Sequence, residues 1–297
     1  MSTQVVKQSP ASKKRSREAL AGAACLGRKG LEGHSSSALI KGFSKAVEKS
    51  YFRLTSAPDP ANVRPPNILW KSVKHVKQHW ASNEDYDFAC DQLKAIRQDL
   101  TVQGIEDQLT VDVYQTHGRI ALEHGDMNEY TQCQSRLREL SLRGVEVAKD
   151  EFTAYRILYS LYRHNFREVN STMAVLTPLE KKGEAVKHAL EVVSACHASN
   201  YHSFFKLYND APNMSGYLMD YLVQRFRKNG IKAMVKAYSP SLPVRFIQEE
   251  LAFADDGEVV RFLASMKAKL KPQEEEGGLL LDTKATRAAW ARDSFEL

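Results

Sequence analysis

Cysteine is scarce in this chain of 297 residues, and the four that occur, Cys25, Cys90, Cys133 and Cys196, are widely scattered. They form no C-x-x-C pair, so a zinc ribbon or a dithiol redox centre is excluded, and buried free thiols in a reducing compartment are expected. Long apolar runs are missing as well: none approaches the roughly 20 residues that a membrane-spanning helix needs. Acidic charge is thin in two places. Residues 1–50 hold ten Lys or Arg against three Glu, whereas the remaining 32 basic and 33 acidic residues nearly cancel. Residues 225–245 hold six basic residues and no acidic one. Absent too are a phosphate-cradling glycine loop, a nucleophile beside a base, and paired carboxylates in a plausible cleft, so neither catalysis nor a cofactor is expected.

What the sequence does carry is helical periodicity. A chain of this length, 43% hydrophobic and 26% charged, suits one large or two ordinary helical domains with a sizeable core. The organising stretch is residues 90–105. Ala89, Leu93, Ile96 and Leu100 recur at steps of four, three and four and share one helix face. Asp91, Arg97, Gln98 and Asp99 lie off that stripe, and Arg97 is expected to pair with Asp99 or another carboxylate. Thr101, Val102 and Gln103 lead to Gly104, where glycine lets the chain reverse.

Residues 1–49 are rich in Ser, Ala, Gly and Lys and are expected to form a mobile basic tail. Within it, Lys13, Lys14, Arg15 and Arg17 suit a nuclear import signal, a nucleic-acid arm or a merely solubilising run. The acid-poor, Ser/Arg-bearing composition, with weakly apolar residues 19–26, leaves organelle targeting as a rival reading. Residues 51–66 crowd four of the ten prolines into nine positions, which predicts an extended strap with turns. Pro65 and Pro66 open a helix whose apolar side is Ile68, Leu69, Val73, Val76 and Trp80. His75 and His79 stand one turn apart, but no third ligand is evident and no metal site is expected.

Beyond Gly104 the pattern falls into helical pairs. Leu109, Val113, Ile120 and Ala121 form a face that Gly125 stops; Asp126, with Glu129 three residues on, caps the next helix. The breaks at Gly125-Asp126, Asn165-Phe166 and Asn200-Tyr201 lie 40 and 35 residues apart, a period suited to stacked helix pairs that bury a core only together. The aromatic stripe Phe152, Tyr155, Tyr159 and Tyr162 reads as core rather than as a base-stacking platform.

Residues 214–238 carry the longest helical pattern. Val223, Phe226, Gly230, Met234 and Ala237 form its apolar stripe, and Arg225, Lys228, Lys232 and Lys236 a second stripe nearly opposite. These four, with Arg245, are the candidate nucleic-acid contacts, because phosphate is met by clustered cations. An ordinary solvated face is the alternative, since charge alone reads no bases. Two short helices follow, around Ile247 and Leu263. Residues 279–281 then read as a strand, with residues 282–284 as the turn to a return strand. Helix, helix, hairpin is the order of a winged-helix end, although Glu274, Glu275 and Glu276 would repel phosphate if they formed the wing.

Five blocks, YFRLTSAPDPANVRP, CDQLKAIRQDLTVQG, HGRIALEHGD, EFTAYRILY and NYHSFFKLYNDAPNMSGYLMD, resemble the Sac-three/GANP domain. Within that family they are most similar to the leukocyte receptor cluster member eight branch and its yeast counterpart in messenger RNA maturation. The likeness runs from about residue 51 to residue 253 and weakens beyond. Its signature positions in the first two blocks are Arg53, Asp59, Arg64, Asp91, Arg97, Asp99 and Gln103, for which a structural role is expected.

The resemblance implies an all-α, TPR/PCI-like stack of helix pairs with a small C-terminal winged helix. The expected division is a tail over 1–49, the helical-repeat domain over 50–212 and the winged-helix end over 213–297. It also implies a nuclear, non-catalytic scaffold for RNA in transcription-coupled processing and export, paired with a PCI-domain protein and a small acidic subunit. A scaffold of the proteasome-lid or signalosome type, without nucleic-acid contact, is the alternative. Larger relatives carry long low-complexity extensions, so attachment to the nuclear pore is not expected here.

Overall fold

The computed structural model describes residues 40–272 and 278–292. The basic cluster at residues 13–17, the apolar run 19–26 and the acidic triplet 274–276 lie outside the described residues. Contacts divide the chain into two compact units, one ending at Thr153 and the other beginning at Ala154.

The first unit is built on α1 (Pro66–Asn83), α2 (Tyr86–Val102), α3 (Gln108–His124) and α4 (Met127–Leu142), with α5 (Lys149–Tyr162) starting at its end. Pro66 stands where a helix has no use for the missing N–H, which fixes the start of α1. Asp85, Asp107 and Asp126 cap the next three helices through their carboxylates. Each consecutive pair packs together, and α3 is buried almost throughout. The core joins Leu69, Val73, Val76 and Trp80 of α1 to Ala89, Leu93, Ile96 and Leu100 of α2 and to Leu109, Val113 and Ile120 of α3. The α2 stripe read from periodicity is therefore the central seam.

One corner geometry recurs through the chain. Glu84, Gly125, His164 and Ser199 each adopt left-handed φ, at 51°, 83°, 55° and 51°. Each is followed at once by an Asp or Asn whose side chain caps the next helix: Asp85, Asp126, Asn165 and Asn200. A left-handed residue satisfies the last carbonyls of one helix, and the Asx side chain satisfies the first amides of the next. All three breaks read from spacing are corners of this kind.

In the second unit, α6 (Phe166–Val175), α7 (Glu184–His197) and α8 (Tyr201–Asn209) precede the 23-residue α9 (Ser215–Ala237). Tyr155 is fully buried and its hydroxyl accepts the amide of Met214, at 2.8 Å, ahead of α9. Tyr159 and Tyr162 are only half-buried, because Ile157, Leu158 and Leu161 take the inward positions. The apolar stripe of α9 is buried at Val223, Phe226, Gly230 and Met234, but Ala237 is exposed where the helix ends. Gly230 permits close packing: a Cβ there would lie 2.8 Å from Leu251 Cδ2 and 3.3 Å from Tyr201 Cγ.

The chain then runs β1 (Ser241–Pro243), α10 (Val244–Glu250), α11 (Asp256–Ser265), β2 (Leu270–Pro272), β3 (Leu279–Asp282) and α12 (Thr283–Arg292). The strands form an antiparallel sheet in the order β1-β3-β2, with Leu242 opposite Leu281 and Leu270 opposite the same residue on the other side. Residues 279–281 are a strand as expected, but the described residues that follow form α12 rather than a return strand. The hairpin partner comes before, at Leu270–Pro272, and Asp282 instead caps α12 by accepting the amide of Ala285 at 2.8 Å. Trp290 of α12 is buried and donates its indole N–H to the Met266 carbonyl at 2.7 Å, closing α12 over the end of α11.

Candidate nucleic-acid interface

Five of the seven signature residues, Arg64, Asp91, Arg97, Asp99 and Gln103, fall into two clusters in the first unit, whereas Arg53 and Asp59 are exposed. Arg64 and Asp99 are sealed from solvent, at 0% and 1% exposure, and Arg64 Nε donates to Asp99 Oδ2 at 2.6 Å. The other carboxylate oxygen takes Lys49 Nζ, also at 2.6 Å. Gln103 donates its amide to the carbonyls of Arg64 and Asp99 and accepts the Gly42 amide. Asp91 accepts the amide of Tyr51, Gln92 that of Lys49, and Gln98 donates to the Phe52 carbonyl. Asp59 closes a short 3-10 turn at Pro60–Asn62, whereas Arg53 is exposed.

These contacts pin the proline-rich strap along α2, and they begin earlier in the chain than a tail ending at residue 49 allows. Gly42 explains the tight seat: a Cβ there would lie 2.2 Å from the Val63 carbonyl oxygen. Asp99, read from periodicity as off the core stripe, is buried because two cations, Lys49 and Arg64, satisfy its carboxylate. Of the two imidazoles at metal spacing, His75 meets Glu48 at 2.7 Å, and both rings lie against Phe88, at 6.1 and 4.1 Å.

Arg97 does not pair with Asp99. Its Nη1 donates to Glu129 at 2.8 Å, its Nη2 to Gln132 at 3.1 Å, and its guanidinium lies over Tyr114. The capping-box glutamate thus turns inward, where Lys94 reaches it too, at 3.0 Å. His117, fully buried beside them, takes an Arg97 N–H on Nδ1 at 3.1 Å. Burial and the charges of Arg97 and Lys94 hold its imidazole well below the ordinary range, so it is neutral at pH 7. Its Nε2 is 4.0 Å from Glu129, too far to donate. Burial pushes the neighbouring Cys133 thiol up to about 12, which leaves it unreactive.

The basic stripe is the feature that reaches solvent. On α9, Lys228 and Lys236 are exposed and Arg225 and Lys232 half-buried, along one face opposite the buried side. Arg227, the fifth basic residue of the helix, points inward. It bonds the carbonyls of Leu251 and Ala252, pairs with Glu258 at 2.7 Å and lies 3.8 Å over the Phe253 ring. Arg245 stands apart, exposed on α10 and 3.2 Å from Glu249, so a carboxylate shares its charge. The four-residue stripe is one surface; the fifth candidate is not part of it.

Arg225 also borders an open cavity of about 230 Å³ formed by the corners at His164 and Ser199. Its Nη1 lies 2.6 Å from His164 Nε2. Phe166, His197, Tyr201 and Asn229 complete the rim, and Cys196 and Phe226 lie at the base. Burial pushes the Cys196 thiol up to about 12 against the opposing charge of Arg225, so it keeps its proton at neutral pH. Periodicity located the two breaks that build this cavity without showing that they meet.

Comparison with known proteins gives a consistent picture. A profile of the SAC3/GANP family matches residues 27–272, wider at both ends than the blocks noted from sequence. The chain is 50% identical over 227 residues to a leukocyte receptor cluster member 8 homolog of Xenopus laevis, covering 76% of this chain and 28% of that protein. It is 47% identical over 229 residues to a THP3 homolog of Schizosaccharomyces pombe, covering 77% and 58% respectively. With SAC3 family protein A of Arabidopsis thaliana it shares 44% identity over 261 residues, or 83% and 26%. The chain therefore spans well under two thirds of the length of these relatives.

Proposed function

The chain belongs to the SAC3/GANP family, and on that premise we propose that it is a non-catalytic scaffold of nuclear messenger RNA processing and export. In this reading Arg225, Lys228, Lys232 and Lys236 hold RNA phosphates without choosing sequence. The C-terminal β1-α10-α11-β2-β3 order is the order of strands and helices in a winged helix, and this module docks a PCI-domain partner alongside a small acidic subunit.

The observation that carries the proposal is the single-signed face of α9. Four cations lie on one side of a helix, within a stretch of 21 residues that has no Asp or Glu. A helix face whose own charged residues are all cations attracts a polyanion through counterion release, whereas a solvated helix face ordinarily mixes signs.

The test is binding of a fluorescent single-stranded RNA to the full chain across a salt series. Each phosphate contact on a single strand contributes about 0.7 to the slope of log affinity against log salt. Reversing Lys228, Lys232 and Lys236 to Glu should therefore weaken binding and flatten the slope by about 2. Unchanged binding after reversal, or a flat salt dependence in the wild type, would leave a pure protein-interaction scaffold.

A further inference from the structure

Resting on the reading of α9 as a phosphate track, we propose that the cavity beside Arg225 is a base-binding subsite that makes the protein select single-stranded RNA. An unpaired nucleobase enters it while the flanking phosphates stay on Arg225 and Lys228.

The cavity has the size and chemistry for this occupant. Its volume of about 230 Å³ falls below the roughly 300–1,000 Å³ of sites for drug-sized ligands, and suits a single flat ring system. Phe166 is 40% exposed and its ring centre stands 5.3 Å from that of His197, so the rim offers aromatic surface to a base face. Such stacking tolerates any base. Asn229 on the same rim supplies an amide donor and acceptor for a base edge. The Arg225 guanidinium, set against the His164 ring, is both a flat surface and the first charge of the cation row.

Two features argue against a bland surface dent. The walls are pre-formed: the His164 corner is closed by a 2.9 Å bond from the Asn165 amide to the Ser160 carbonyl, and the Ser199 corner by a 2.9 Å bond from Asn200 to Ala195. Binding there orders little new backbone. Moreover, the cavity opens at the head of the cation stripe, so a strand tracking the phosphates would present a base to it. An apolar peptide would find aromatic surface but no use for the charges. A duplex keeps its bases paired and stacked, with their faces covered, and only an unpaired nucleotide can enter.

The experiment compares a single-stranded RNA carrying 2-aminopurine with a duplex of the same phosphate count, each titrated with the full chain. The wild type should bind the single strand more tightly and quench the 2-aminopurine. Phe166→Ala should weaken the single strand by about five- to a hundredfold, with duplex affinity and salt slope unchanged. Phe166→Trp should restore the preference, which a folding defect would not allow, and Asn229→Ala should reduce it without touching the ring. Equal affinity of the wild type for both RNAs, or an indifferent Phe166→Ala, would overturn the subsite. In that case a loss of both affinities on reversing Lys228 and Lys232 would still uphold the phosphate track. Absence of RNA binding by the wild type at low salt would sink both.

Discussion

Arg64 and Asp99 meet at 2.6 Å with neither side chain open to solvent, and this pair joins the strap to the helix that organises the first unit. A buried ion pair is costly to half-remove, because the remaining charge keeps its desolvation penalty without its partner. Asp99→Ala should therefore destabilise the protein by about 3–5 kcal/mol in chemical denaturation. Lys49→Ala should cost about 1 kcal/mol or less, since that ammonium is partly in water. Replacing both buried partners, by Arg64→Met with Asp99→Leu, should recover part of the loss. Equal effects of the Asp99 and Lys49 variants would contradict this account.

Gly42 tests the seat of the strap separately. A methyl group at 2.2 Å from the Val63 carbonyl oxygen cannot be absorbed by a side-chain rotation, so the backbone must shift. Gly42→Ala should cost about 1–3 kcal/mol and speed amide exchange at Phe43 and Ser44, which donate to the carbonyls of Pro60 and Val63. Leu93, inside α2, should keep its protection. Unaltered exchange at Phe43 and Ser44 would show that the contact is slack.

His117 gives the fold an acid sensitivity with a defined sign. Its imidazole is held neutral in the folded chain, whereas the unfolded chain protonates it near pH 6.5. Below that value the unfolded state binds the extra proton, so stability falls as pH falls, by up to about 1.4 kcal/mol per pH unit. The loss continues until the folded-state imidazole itself titrates. His117→Gln, which keeps an acceptor for Arg97, should flatten this part of the stability curve between pH 6.5 and 5. Parallel curves for the two proteins would rule the mechanism out.

Asp126 has the opposite chemistry and a lower window. Burial raises its carboxyl, but hydrogen bonds from the Glu129 amide, the Tyr86 hydroxyl and the Asn128 amide outweigh this and hold it below the usual carboxylate range. Its contribution is therefore complete above about pH 4 and lost as pH falls through the lowered value. At pH 7, Asp126→Ala should cost about 0.5–2 kcal/mol, as the loss of an N-cap does. Thermal melts at pH 7 and pH 3 check this, with the gap between variant and wild type closing at the lower pH.

Sequence and structure agree where the signal is local. Ala89, Leu93, Ile96 and Leu100 are legible because a buried helix face repeats every three or four residues, and Asp126 because a cap acts within three residues of itself. What spacing misreads or leaves open concerns partners distant in sequence. Asp99 lies off the apolar stripe, and the partner that buries it, Arg64, stands 35 residues earlier. Arg97 is expected to take Asp99 or another carboxylate; it takes Glu129, 32 residues on, a choice between the two that spacing leaves open, because α4 brings Glu129 to the buried side. The strand at Leu279–Asp282 was visible, but its hairpin partner is three residues ending in proline, too short to show alternation. The cavity beside Arg225 needed the His164 and Ser199 corners together, and spacing along a chain cannot show that two corners touch.

The strap also has a direction in time. Lys49 and Arg64 leave the ribosome 50 and 35 residues ahead of Asp99, the carboxylate that holds them both. During that interval both cations remain hydrated, and a charged, proline-rich segment can wait in water without burying anything. The apolar stripe of α2 emerges afterwards, when α1 and the strap are already outside, so the surface most prone to aggregate meets its cover on arrival. The lock thus closes backwards along the nascent chain, a later residue fastening a segment that was made earlier.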